Sequence, residues 1–155
     1  LDITDAAGGR LNGETATFSP LTGASNPFDS FIVQWESSPS VVDMDGDGLK
    51  DLVTGKRFWS HGRTGDPDRN DAAVLYWFRL ARRADKLVDY IPYLIDNESG
   101  VGTQVVAGDV NGDGLPDVVV GNKRGTFVHL HQKKTVTQEE WEKAQPKRGT
   151  ATGSR

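Results

Sequence analysis

The chain has no cysteine. Disulfides therefore contribute nothing to its stability, and thiol chemistry does not fix its compartment. No run of 18 or more apolar residues occurs, so no stretch has the length of a membrane-spanning helix. A surplus of positive charge is missing as well: 18 Lys and Arg face 22 Asp and Glu, a formal charge of −4. That balance argues against nucleic acid as a partner, whose footprint is a basic face. G-x-S-x-G, P-loop, dinucleotide-fingerprint and H-E-x-x-H patterns are all absent, and with them the chemistries those motifs carry. The first residues do not read as a signal peptide, as expected of a mature product or an excised fragment.

What the chain does contain is a nine-residue pattern, D-x-[DN]-G-D-G-L-x-D, used twice. Loop one runs from Asp43 to Asp51 and loop two from Asp109 to Asp117. Oxygen-bearing side chains stand at positions 1, 3, 5 and 9: Asp43, Asp45, Asp47 and Asp51, then Asp109, Asn111, Asp113 and Asp117. A hard cation such as Ca²⁺ takes six to eight oxygens at about 2.3–2.6 Å, and a short loop converges them by alternating ligands with sharp backbone turns. Glycines at positions 4 and 6 permit those turns because they enter positive φ without steric cost. The backbone carbonyl at position 7, Leu49 or Leu115, is the expected further ligand. Asp/Gly-rich turns do occur without metal, but a turn needs one or two carboxylates, and loop one has four within nine residues. An EF-hand is a poorer match, since its position 12 is Glu and helices flank it, whereas here position 12 is Thr54 or Val120. The sequence thus predicts two calcium ions. Loop one should bind the tighter, because it carries four carboxylates against three, with Pro116 a smaller compensating restraint in loop two.

The flanks are β-branched and read as strands. Val41-Val42 enters loop one and Leu52–Gly55 leaves it; Val74–Leu80 and Asp89–Ile95 follow, the latter demoted toward a sheet edge by Pro92. The cycle restarts with Thr103–Gly108, loop two, Val118–Gly121 and Thr126–His131. The loops begin 66 residues apart, and without the polar insertion at 59–71 the repeat is close to the ~50 residues of a four-stranded blade. Phe31–Trp35 is a further strand candidate, and residues 1–30 are irregular, with one completing strand for the second blade expected there. Thr137 to Glu140 has the spacing of a capping box, with Trp141 placed to pack back on the strands, Pro146 as a stop, and a disordered tail after it.

The pattern D-x-[DN]-G-D-G-x-x-D followed by an apolar strand and glycine, here Asp51–Gly55 and Asp117–Gly121, resembles the FG-GAP or VCBS-type repeat of bacterial secreted proteins and of the integrin α propeller. The resemblance covers roughly residues 31–134. It implies an all-β fold of two four-stranded antiparallel propeller blades with a short C-terminal helix, the calcium loop joining the first two strands of each blade. The expected organisation is an N-terminal segment at 1–30, a first blade at 31–98, a second at 99–134, and a helix and tail at 135–155. Complete propellers have about four to eight blades. The remaining blades are therefore expected from the same parent chain or from other subunits, unless the ends fold over an open sheet pair. A looser resemblance, carried by Gly55–Trp59 with His61-Gly62 and by Ala73–Phe78, is to propeller domains of planctomycete-type secreted proteins and of aldos-2-ulose dehydratase.

These readings imply a calcium-binding module of a secreted or periplasmic, bacterial protein that binds carbohydrate or another extracellular protein and performs no chemistry of its own. The alternative is part of a sugar-active lyase or isomerase, with His61 as acid or base and Arg63 holding an anion or hydroxyl. Asp66, Asp68 and Arg69 share that insertion, and long polar loops on propellers carry ligand contacts. His129 and His131, two apart on a strand, face the same way and form a possible pair of transition-metal ligands without a visible third.

Overall fold

The computed structural model describes Pro20, residues 38–59, His61, Thr64-Gly65 and residues 69–146. The expected strands within residues 1–37 and the tail after Pro146 lie outside them.

Two antiparallel sheets form, in the order the apolar runs predict. The first comprises β1 (Ser40–Val42), β2 (Asp51–Gly55), β3 (Leu75–Arg82) and β4 (Val88–Asp96), each paired with the next. The second comprises β5 (Val105–Gly108), β6 (Asp117–Asn122) and β7 (Gly125–His129). Four strands and three are thus found among the described residues, with no closed barrel, an arrangement consistent with a fragment of a propeller. Among the described residues β4 is an edge strand, where Pro92 costs the ladder no interior hydrogen bond.

Register fixes which residues share a face. In the first sheet Ser40 pairs with Val53 and Val53 with Trp77, which pairs in turn with Tyr93. In the second, Val105 pairs with Val120 and Val120 with Phe127, while Ala107 pairs with Val118. These two rows meet: Val53, Leu75, Val105, Val118 and Val120 form one buried cluster with Met44 and Val101, flanked by Trp77, Ala107 and Phe127. The sheets therefore stack face to face, and the amide of Ala107 donates across the junction to Ser40 Oγ at 3.2 Å. Trp77 and Tyr93 stack with ring centroids 4.8 Å apart on the same face.

A second tie is invisible as a sequence pattern. After β4 the chain returns to the first sheet, where Val101 donates to the Lys56 carbonyl and accepts from Phe58 N, at 2.8 and 2.9 Å. Gly100 sits in that crossing at φ 58°, with a Cβ there falling 2.6 Å from Phe58 Cβ, so only glycine fits.

α1 (Gln138–Ala144) starts where the capping box predicts: Thr137 Oγ1 accepts from Glu140 N, and the Glu140 carboxylate accepts from Thr137 N at 2.9 Å. It ends at Gln145, one residue before Pro146. Trp141 corrects the expectation placed on it. The helix buries none of its residues, and Trp141 remains half exposed; the helix's link to the sheet is instead Tyr93 Oη, which donates to Gln145 Oε1.

Candidate metal loops

Each predicted loop joins the first two strands of its sheet, loop one between β1 and β2 and loop two between β5 and β6. The glycines take the conformation the pattern requires: Gly46 and Gly48 have φ of 80° and 85°, Gly112 and Gly114 of 83° and 84°. A side chain at any of the four would be strained although open space surrounds it, so the constraint is backbone conformation and not crowding.

The first aspartate of each loop folds the chain over itself. Asp43 Oδ1 accepts from Gly46 N at 2.8 Å and Oδ2 from Gly48 N at 2.9 Å. Asp109 does the same, with Gly112 N at 2.7 Å and Gly114 N at 2.9 Å. Positions 3 and 5 then cap the amides two residues on: Asp45 accepts from Asp47 N, Asp47 from Leu49 N, Asn111 from Asp113 N, and Asp113 from Leu115 N. The two loops are thus repeats at the level of individual atoms.

Position 9 holds a carboxylate that is fully buried in both sheets. Asp51 Oδ2 accepts from Met44 N at 3.1 Å and from Trp77 Nε1 at 2.9 Å, and Oδ1 accepts from Leu80 N at 2.8 Å. Asp117 accepts from Val110 N at 2.9 Å and His131 N at 2.8 Å. The amides of His131 and Val110 hold the Asp117 carboxyl below the ordinary carboxylate range, against the opposing effect of burial. Each position-9 carboxylate therefore ties its loop to the third strand of its sheet or, in the second sheet, to the residues just after it, a role the nine-residue pattern does not show.

Carboxylate oxygens of Asp43, Asp45 and Asp51 lie within 4.8 Å of one another, the one such group of three acidic or histidine residues among the described residues. Ligands on a common Ca²⁺ at about 2.3–2.6 Å are separated by at most about 5 Å, so this spacing fits the ion. An ionised carboxylate has about four lone-pair positions, and the hydrogen bonds above fill two on Asp43 and three on Asp51, which leaves acceptor capacity on both. Asp47 is not in that group, and neither are Asp109, Asp113 and Asp117. In loop two Asn111 Nδ2 donates to Asp113 Oδ2 at 3.0 Å.

Arg79 of β3 reaches loop one, its Nε 3.1 Å from Asp45 Oδ2. Sequence reading passed over it, although it is the lone charge in the apolar run Val74–Leu80.

The other candidates do not assemble. His129 Nε2 and His131 Nδ1 are buried without a hydrogen bond, but no third ligand joins them among the described residues. His61 lies exposed in a turn; Arg63, Asp66 and Asp68 are outside the described residues. The base of the insertion is fixed at the sheet end away from loop one, where Lys56 Nζ donates to the Asp71 carbonyl. There the Arg124 guanidinium lies 5.8 Å from the Phe58 ring centroid and 5.5 Å from that of Trp59.

Antiparallel sheets stacked face to face, each with an Asp/Gly loop between its first two strands, define a propeller-type repeat module. Residues 101–135, which contain all of the second sheet, match the family model of the FG-GAP repeat. No curated protein and no solved structure matches the chain, and the looser resemblance to a sugar dehydratase gains no support from them.

Proposed function

We propose that this chain is a calcium-stabilised part of a β-propeller from a secreted or periplasmic bacterial protein, and that it binds carbohydrate or another extracellular protein without chemistry of its own. The observation that carries the calcium reading is the convergence of Asp43, Asp45 and Asp51 within 4.8 Å, in a loop of the same pattern as the one inside the matched FG-GAP repeat. Loop one would hold its ion with Asp43, Asp45, Asp47, Asp51 and the Leu49 carbonyl. Loop two would use Asp109, Asn111, Asp113, Asp117 and the Leu115 carbonyl. Both ions would be structural, since the loops link strands within one sheet. Calcium is abundant outside cells, and a chain without cysteine has no thiols to oxidise there.

The second sheet supports the expectation of further blades. Val106, Val119 and Val128 form a row across it, and Val106, Val128 and nearby Leu130 are more than half exposed. That row is the counterpart of Ser40, Val53 and Trp77 in the first sheet, which is covered by sheet two. A blade from the same parent chain or another subunit would cover it in the same way.

Thermal melting in EGTA, in calcium and in magnesium tests the metal reading. Melting should fall in EGTA and return with Ca²⁺, but poorly with Mg²⁺, which demands stricter octahedral geometry. A melting curve that chelation leaves unchanged would overturn it.

A further inference from the structure

Trp77 and Arg79 are two apart on β3 and project to the same face, and both reach loop one, Trp77 to Asp51 and Arg79 to Asp45. The Arg79 Nε atom is buried, yet it is not aligned for a hydrogen bond with the carboxylate beside it. Its contact with Asp45 is therefore one of charge. Side-chain exposures of 33% for Arg79 and 28% for Asp45 place the pair at the loop's margin, where Arg79 can withdraw without leaving a deeply buried charge. Loop two offers an internal comparison. Leu80 N bonds to Asp51 as His131 N bonds to Asp117, so the residue standing where Arg79 stands is Leu130, which is exposed and uncharged.

We infer that Arg79 is a built-in counter-cation of loop one, holding the loop closed when calcium is scarce and competing with calcium for Asp45 when it is present. The inference rests on the calcium reading above. An ion bound to Asp45 would lie about 2.3–2.6 Å from a carboxylate oxygen, and the guanidinium already lies 3.1 Å from that same group. Two positive charges at that range repel strongly in a partly dehydrated loop. Binding therefore requires Arg79 to move aside, and its interaction with Asp45 is lost from the ion-free state. The fourth carboxylate of loop one is offset by this cation, so loop one loses the affinity advantage that four carboxylates against three predict.

The test is calorimetric titration of the full chain with calcium alone, with loop two disabled by Asp113→Ala, comparing Arg79 with Arg79→Leu and Arg79→Gln. Removing the cation should tighten loop one roughly tenfold or more. Melting curves should show a second signature, in which the neutral variants lose more stability in EGTA than in saturating calcium. Simple loss of packing would lower both alike. Arg79→Gln keeps a polar stem and decides the matter if the leucine variant fails to fold. Calcium uptake at loop one that neither substitution tightens overturns the role of Arg79 and leaves the calcium reading standing. No uptake at loop one in any of the three proteins overturns both.

Discussion

Asp51→Ala separates the two roles of the position-9 carboxylate. The side chain is fully buried and accepts from three donors: Met44 N, Trp77 Nε1 and Leu80 N. Alanine removes every acceptor and leaves all three donors facing a methyl group. Each buried donor left unpaired costs about 1–3 kcal/mol. Water entering beside the part-buried Trp77 and Leu80 should recover some of this, so the expected loss is about 3–5 kcal/mol. That is a large fraction of the ~5–15 kcal/mol by which a domain is stable. Asp117→Ala orphans Val110 N and His131 N and should cost less, about 2–4 kcal/mol. Urea unfolding followed by tryptophan fluorescence measures both, once in EGTA and once in calcium. If Asp51 acts through its hydrogen bonds, most of the loss persists in EGTA. If the mutant and the wild type unfold together in EGTA and differ only in calcium, the carboxylate matters solely as a metal ligand and the reasoning is refuted.

The other expectations concern the core and the charged turn after β4. Leu75 is fully buried at the junction of the sheets, and Leu75→Ala should cost about 2–5 kcal/mol in urea; at the exposed Leu94 the same change should stay within about 0.5 kcal/mol. Equal effects at the two sites would show that the sheets do not stack as described. Burial opposes ionisation of Asp96, but the Glu98 and Ser99 amides outweigh it and lower the carboxyl below its ordinary value of 3.8. A carboxyl whose folded value is lowered contributes stability above its unfolded value, and that contribution is lost as pH falls through the folded one. Wild type should therefore exceed Asp96→Asn in stability near neutral pH, with the gap closing below the unfolded value of 3.8; melts in EGTA across this range check it, and a gap independent of pH counts against it.

The chain's local patterns were sufficient for its local structure. Alternating β-branched runs located the strands from β1 to β7 because a strand's side-chain period is set within a few residues. Glycine spacing located the loops for the same reason: positive φ at Gly46, Gly48, Gly112 and Gly114 is a property of the backbone at those positions. Even the capping box at Thr137 and Glu140 needs nothing beyond its own four residues. Tertiary structure decided what depends on residues far apart in sequence. Trp77 and Leu80 reach Asp51 only because β3 pairs beside β2, and His131 reaches Asp117 only because β7 pairs beside β6. Arg79 meets Asp45 across 33 intervening residues in the same way, offsetting one of the four carboxylates of loop one. Trp141 shows the converse: a large apolar side chain on a capped helix stays half exposed, because local spacing cannot say where the next surface lies.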